Sequence, residues 1–528
     1  MHTEYPLCAP NASDLAMTFQ LDIPKEATPI GYSWLRDHFD LNPIPHWVES
    51  YIGSTSEKRE VEREGRTLRV LAKRTRLPES WLDQLEFAIR YEGLDLNLLR
   101  LLFHQVDPSP IVSAIEAHPN SRHLRKIWYL YEEITQQELL LPNLSRGNYV
   151  DLIDSKLYFT GKAVKRSRQR INVNLIGQLA FCGLVRRTPD LEKKVEIDLV
   201  DQCRQVIDSF PADLFERAMN YLYRKETKSS FEIENEKPDQ ARTTKFLAML
   251  RRAGKVDTMR SEFLVELQNL IVEPRFASAG YRNLTGEQIY VGQAVGLGKD
   301  LVHFIGPKPE DTLELMEDWI EASNQILNDP ECHPIAAAAV VAFGFVFVHP
   351  FNDGNGRIHR FLIHHVLAKK GFAPESVVFP VSAIMLKRPR AYDAALESFS
   401  IPLMEHTQYE QDGFGQMTVL NETSDYYRSI DYTKIVEALF DFVAETIRTE
   451  LPSEFEFLES YDQARASMAQ VVDLPDRVAD LFIRLVLQNQ GTLSKGKRQT
   501  RGFELLSDQE ITQLQIVVNS AFQKTEEL

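Results

Sequence analysis

A chain of 528 residues, 43% hydrophobic and 26% charged, is long enough for two to four globular units, and its 24 glycines and 26 prolines exclude collagen-like or broadly disordered composition. Sixty basic against 76 acidic residues leave a net charge of −16, which favours solubility and disfavours spreading over nucleic acid phosphates. Cys8, Cys182, Cys203 and Cys332 stand far apart with no C-x-x-C pair, which argues against a zinc knuckle or a dense disulfide framework and fits a reducing cytoplasm.

The N-terminal MHTEYPLCAP has Glu4 and no basic residue ahead of an apolar run, unlike a secretory leader, so a cytoplasmic location is expected. Amphipathic stretches such as Ser80 to Phe103 and Ser121 to Leu139 predict an N-terminal helical region over residues 1–215. Turn signals at Asp107-Pro108-Ser109-Pro110 and Leu141-Pro142-Asn143 divide it. Lys162, Lys165, Arg166, Arg168 and Arg170 form a basic cluster, read as solvated surface because no aromatic is interleaved with it. The basic turn from Lys495 to Arg501 is read the same way.

Residues 216–404 carry the unusual features. Near their start, Ser229 and Glu232 have the S-x-x-E spacing of a helix capping box, which leaves Glu234 free. Farther on, Ile335 to Val348 is apolar over 14 residues, short of the roughly 20 that a membrane span needs, and predicts a buried core helix with no membrane partner. That helix runs into Val348-His349-Pro350-Phe351-Asn352-Asp353-Gly354-Asn355-Gly356-Arg357-Ile358-His359-Arg360 and then into Phe361 to Leu367, a helix, a loop and a second helix. Residues 405–424 read as a hairpin or linker, and Tyr432 to Thr449 opens a C-terminal helical region over 425–528. The expected fold is therefore mostly α.

Gly354 and Gly356 flank Asn355, so backbone N–H groups can approach an anion at the positive end of the second helix. Arg357 and Arg360 lie one turn apart on that helix, and each guanidinium can grip phosphate oxygens. Asp353 offers a hard oxygen for Mg2+ otherwise held by phosphate and water. His349 can take a proton from an incoming hydroxyl near neutral pH. His359, His364 and His365 follow on the same helix without an H-x-x-x-H partner Glu, so they are read as packed histidines and not as zinc ligands.

This run resembles the Fic family, whose signature H-P-F-x-(D/E)-G-N-G-R-x-x-R is matched at every fixed position from His349 to Arg360. The resemblance implies a Fic-type helical core with a small β-hairpin flap, and transfer of AMP from ATP to a Ser, Thr or Tyr hydroxyl of a protein, the chain itself included. It makes His349 the general base, Asp353 the Mg2+ ligand, and Gly354, Asn355 and Gly356 the phosphate cradle. Arg357 would meet the inner phosphates and Arg360 the γ-phosphate. Related Doc kinases carry Lys where this chain has Gly356, which favours nucleotidyl over phosphoryl transfer.

Gly280-Tyr281-Arg282 through Ile289-Tyr290-Val291-Gly292 is similar to the family's target-docking flap, with Arg282 and Ile289 assigned to it. Phe304-Ile305-Gly306-Pro307 with Leu315-Met316 is similar to the linker into its next helix. Arg388 to Leu396 is similar to its closing helix, where Tyr392 either packs on the adenine or belongs to the core. Ala342 and Val346 depart from the His and the acidic residue that many relatives carry there.

Ser230, Glu234 and Asn235 resemble the family's inhibitory motif (S/T)-x-x-x-E-(G/N), placed as in the class with an N-terminal inhibitory helix, here near 229–236. Glu234 would pair with Arg360 and take the place of the γ-phosphate. The partners expected are a nucleotide and a protein carrying an acceptor hydroxyl, with nucleic acid disfavoured and a homo-oligomer left open. The alternatives are the same fold with another donor, transferring UMP, GMP or phosphocholine, and a nucleotide-sensing regulatory or DNA-binding protein.

Overall fold

An uninterrupted apolar stretch has no polar face to offer solvent, and the helix Pro334–Val348 is accordingly buried at every position from Ile335 to Val348. Pro334 stands at its first position, where no N–H is needed, and the His333 ring accepts the Ile335 N–H at 3.2 Å. In the computed structural model this apolar helix is the axis of the core. The helix Thr312–Asn328 packs along it, and Trp319 donates its indole N–H to the Val341 carbonyl at 3.0 Å. The motif helix Asn355–Lys369 lies on it as well, buried from Asn355 to Leu367. The structure describes residues 23–63, 65–282, 286–296, 299–372, 377–412, 415–500 and 502–523. The N-terminal decapeptide with Cys8, and Arg501, lie outside them.

The chain folds as two units that are each discontinuous in sequence. One comprises Met1–Ile197, Thr227–Glu375 and Met385–Asp441. The other comprises Asp198–Glu226, Ser376–Ile384 and Phe442–Leu528. Each unit draws on more than one of the consecutive regions expected from the sequence.

In the first unit, helices from Trp81–Tyr91 to Arg122–Thr135 occupy the amphipathic stretches, and Ser80 with Asp83 forms a reciprocal capping box at the first of them. Strands accompany these helices. Thr28–Ile30, Val48–Ile52, Arg66–Leu71 and Arg59–Arg63 form a four-stranded sheet in that order, and two three-stranded sheets draw on residues 150–184. The strand Ser429–Asp431 pairs in parallel with Phe181–Leu184. In the basic cluster, Arg168 is held by Glu132 at 2.9 Å and Tyr149 lies beneath Lys165 and Arg170. The aromatics absent from the cluster's own sequence thus arrive from elsewhere in the chain.

Helices Leu451–Val471, Asp476–Gln488 and Asp508–Gln523 belong to the second unit. They close over Phe482, Ile483, Phe503, Leu514 and Val518. Lys225 there sits 2.7 Å from Glu450 and 2.6 Å from Glu454.

The hairpin near the site differs from the expected one. Its strands are Tyr290–Gly296 and Lys299–Ile305, antiparallel with two irregularities, pairing Tyr290 with Ile305 and Val291 with Phe304. Phe304 and Ile305 therefore belong to the returning strand and not to a linker. Residues 283–285, within the stretch assigned to the flap, lie outside the described residues. A further hairpin pairs Tyr409–Gln411 with Met417–Val419, and residues 413–414 of the expected hairpin or linker lie outside the described residues. Among the described residues no helix is long and apolar enough to cross a membrane, and Cys182, Cys203 and Cys332 are free and buried.

Candidate active site

His349 ends the apolar helix in the left-handed conformation, φ 50° and ψ 57°, which turns its side chain back over the helix end. It is 7% exposed, and its Nδ1 lies 3.0 Å from the Val346 carbonyl. A carbonyl only accepts, so Nδ1 carries the proton and Nε2 keeps the lone pair that a general base needs. Burial lowers the imidazole pKa to about 4, with nearby Arg282 acting in the same direction and Glu234 opposing, so the ring is neutral at pH 7.

Arg282 corrects the sequence expectation. Its guanidinium is buried beneath the His349 loop and not displayed on a docking edge: Nε donates to the His349 carbonyl at 2.9 Å and Nη2 to the Val348 carbonyl at 3.2 Å. A helix leaves its last carbonyls unpartnered, and Arg282 satisfies two of them, so it fixes the base. Ile289 precedes the hairpin, and its carbonyl accepts the Gly306 N–H at 3.0 Å, closing the base of that hairpin.

Gly354 takes φ 92°, which requires glycine, and a Cβ there would also press on Val272 Cγ1 at 3.0 Å. No side chain caps the motif helix, which leaves the N–H groups of its first turn facing the loop. Asn355 acts by its side chain on the loop itself, accepting from the Phe351 N–H at 3.0 Å and donating to the Phe351 carbonyl at 2.7 Å. Its part in an anion cradle is thereby confined to its backbone, beside Gly356.

Both arginines are buried, Arg357 at 0% and Arg360 at 1% exposure. Arg360 Nη2 donates to Glu234 Oε1 at 2.7 Å and to the Ser230 carbonyl at 2.8 Å, and Nε donates to Ser230 Oγ at 2.8 Å. Glu234 thus meets Arg360, the contact that the resemblance implies, and Ser230 meets the same guanidinium, which was not expected. The capping box does not form, because the helix Ala212–Ile233 already contains Ser229 and Glu232. That helix stops at Asn235, left-handed at φ 55°, while the Glu236 N–H reaches back to the Phe231 carbonyl at 3.0 Å. The Asn of the motif therefore supplies the αL residue that reverses the chain just after Glu234.

Arg357 has its own carboxylates. Asp353 Oδ1 lies 2.7 Å from Nη2, and Glu236 Oε1 and Oε2 lie 3.0 and 3.1 Å from Nη2 and Nη1. Nothing in the sequence singled out Glu236; the available signal was a second acid two residues beyond Glu234. Among the described residues no cluster of three or more His, Cys, Asp or Glu could hold a metal ion. Asp353, 21% exposed beside the open helix end, fits a hard cation that takes its remaining oxygens from phosphate and water.

Next to His349, a small cavity of about 70 Å3 lies between the hairpin and the closing helix Pro389–His406. Phe304, Val346, Tyr392 and Leu396 give it apolar walls, and Asp393 and Glu397 line it too. Burial raises the Asp393 carboxyl to about 6, helped by Glu397. Tyr392 is both buried and cavity-lining, so its two readings are compatible. Val346 and Ala342, the departures from the family pattern, contribute carbonyls to His349 and His359. His359 is held at about 3 and His365 at about 4 by burial, and His365 Nδ1 accepts the Gly254 N–H, as packed histidines do.

Comparison with known proteins places a Fic/DOC family domain at residues 259–367. Protein adenylyltransferase Fic of Nematostella vectensis is 39% identical over 79 residues, covering 14% of this chain and 17% of that protein. Protein adenylyltransferase fic-1 of Caenorhabditis briggsae is 36% identical over 97 residues, covering 18% of this chain and 16% of that protein. The chain thus spans about a sixth of the length of these curated relatives. A crystal structure of a Fic domain containing signaling protein from Bacteroides thetaiotaomicron matches at 18% identity and a TM-score of 0.35, covering 48% of this chain and 96% of that one.

Proposed function

We propose that the chain transfers AMP from ATP to a hydroxyl side chain of a protein and is restrained by Glu234. The observation that carries this reading is the neutral His349 imidazole at the start of a loop whose far end holds two buried arginines, one of them already paired with a carboxylate. His349 Nε2 takes the proton of the acceptor hydroxyl as its oxygen forms the new bond to the α-phosphorus. The bond from that phosphorus to the β-phosphate bridging oxygen breaks, and pyrophosphate leaves. Arg357, Arg360 and the first-turn N–H groups of the motif helix offset the charge that builds on the phosphates. Mg2+ bound at Asp353 would neutralise phosphate charge. The apolar recess beside Tyr392 is where the nucleoside end would enter, and the relatives' names as protein adenylyltransferases support adenylyl transfer.

Glu234 on Arg360 holds the place of the terminal phosphate, so the resting chain should be nearly inactive. With ATP labelled at the α-phosphate and cell lysate as acceptor, Glu234→Gly should raise protein labelling and a further His349→Ala should abolish it. Label that follows the γ-phosphate instead would refute nucleotidyl transfer. An unchanged rate in Glu234→Gly would remove the brake.

A further inference from the structure

We infer that Glu236 is a second latch, holding Arg357 against the inner phosphates, and that Arg242 is the post to which it withdraws when nucleotide binds. The inference rests on the nucleotide-binding reading above and concerns how that site is regulated.

Glu236 straddles Arg357 with both oxygens, at 3.0 and 3.1 Å, and its Oε2 also lies 2.6 Å from Arg242 Nη2. The two guanidinium groups share surroundings. Each lies 5.2 Å from the centre of the buried Phe231 ring, and each donates to the Ile271 carbonyl, Arg357 at 3.3 Å and Arg242 at 3.0 and 3.2 Å. Arg357 is fully buried, whereas Glu236 is 31% exposed and Arg242 18%. The carboxylate therefore has one inner and one outer cation within reach at once.

A phosphate arriving at Arg357 needs the Nη1 and Nη2 donors that Glu236 now occupies, and it meets a like charge there. Releasing Glu236 outright would leave a half-buried carboxylate without a counter-charge. Arg242 removes that cost, since Glu236 keeps its 2.6 Å contact while giving up Arg357. Asp353, the candidate metal ligand, is bonded to the same Nη2, so Glu236 and Asp353 crowd one donor until Glu236 withdraws. Glu234 and Glu236 sit on opposite sides of the left-handed Asn235, and one turn of chain thereby faces both arginines.

The latch is tested in the full chain carrying Glu234→Gly, so that the outer arginine is already open, by calorimetry with ATP and Mg2+. Glu236→Gln, nearly isosteric, should tighten ATP binding about twofold to fivefold, the scale of one part-exposed ion pair. Glu236→Ala should move in the same direction. Arg242→Ala confines Glu236 to Arg357 and should weaken ATP binding several-fold, but change nothing when Glu236→Gln is already present. An Arg242→Ala effect that persists beside Glu236→Gln, or a Glu236→Gln chain that binds ATP no better, overturns the latch. A chain that binds ATP with these differences yet transfers no AMP keeps the latch and loses the transferase reading. Absence of ATP binding in every variant overturns both.

Discussion

Glu234→Gln keeps the shape of the inhibitory side chain and removes its charge from beside a guanidinium that is 1% exposed. Removing one member of a buried pair costs about 3 to 5 kcal/mol, because the survivor is left charged and desolvated. Arg360 still keeps its two 2.8 Å contacts to Ser230, which places the expected loss at the lower end, about 3 kcal/mol. ATP at a hundred times its Kd would restore about 2.7 kcal/mol to any state that binds it. Loss and recovery are of similar size, so the variant should melt several degrees early by scanning fluorimetry and return nearly to the parent's temperature with ATP and Mg2+. The parent should respond little to the same addition, since its arginine is already neutralised. A variant that melts with the parent, or that nucleotide fails to stabilise, would refute the view that Glu234 stands in for a phosphate.

Four more outcomes follow from the geometry. The pH profile of AMP transfer by Glu234→Gly should fall through a limb near 4, where His349 gains its proton, and a limb near 6.5 would mean a solvated imidazole. Because that folded-state pKa is depressed, the unfolded chain takes up the proton first, and stability should decline as pH falls from about 6.5 towards 4, as urea melts at pH 7 and 5 would register. Asn235→Val forces a β-branched residue into φ 55° and should cost about 1 to 3 kcal/mol in urea melts while raising basal AMP transfer. Arg282→Lys cannot hold both the Val348 and His349 carbonyls, and it should lower kcat about tenfold with ATP affinity unchanged; an equal fall in affinity would argue against a role confined to the base.

The run from His349 to Arg360 was legible because its chemistry is local: a base, a loop glycine and two arginines at fixed offsets need no knowledge of the rest of the chain. The burial of Ile335 to Val348 was legible for a similar reason, an apolar stretch having one place to go. Glu236 was not, since its value depends on Arg357 arriving from 121 positions away. The place of Arg282 was not legible, since the resemblance assigned it to a docking flap while the carbonyls it caps belong to another element. The capping-box spacing of Ser229 and Glu232 was genuine, but a helix begun at Ala212 overrides a local start signal. Short strands within the first 197 residues escaped notice because each owes its form to partners distant in sequence, as Phe181–Leu184 does to Ser429–Asp431.

His349 occupies a backbone position where most chains would place glycine, and there a non-glycine residue stores about 1 kcal/mol or more of unfavourable conformation. Proteins selected only for heat resistance would drift towards glycine or asparagine at this one site and lose their chemistry as they became hardier. Any stabilised library built on this scaffold must therefore hold that codon fixed and screen for turnover alongside endurance.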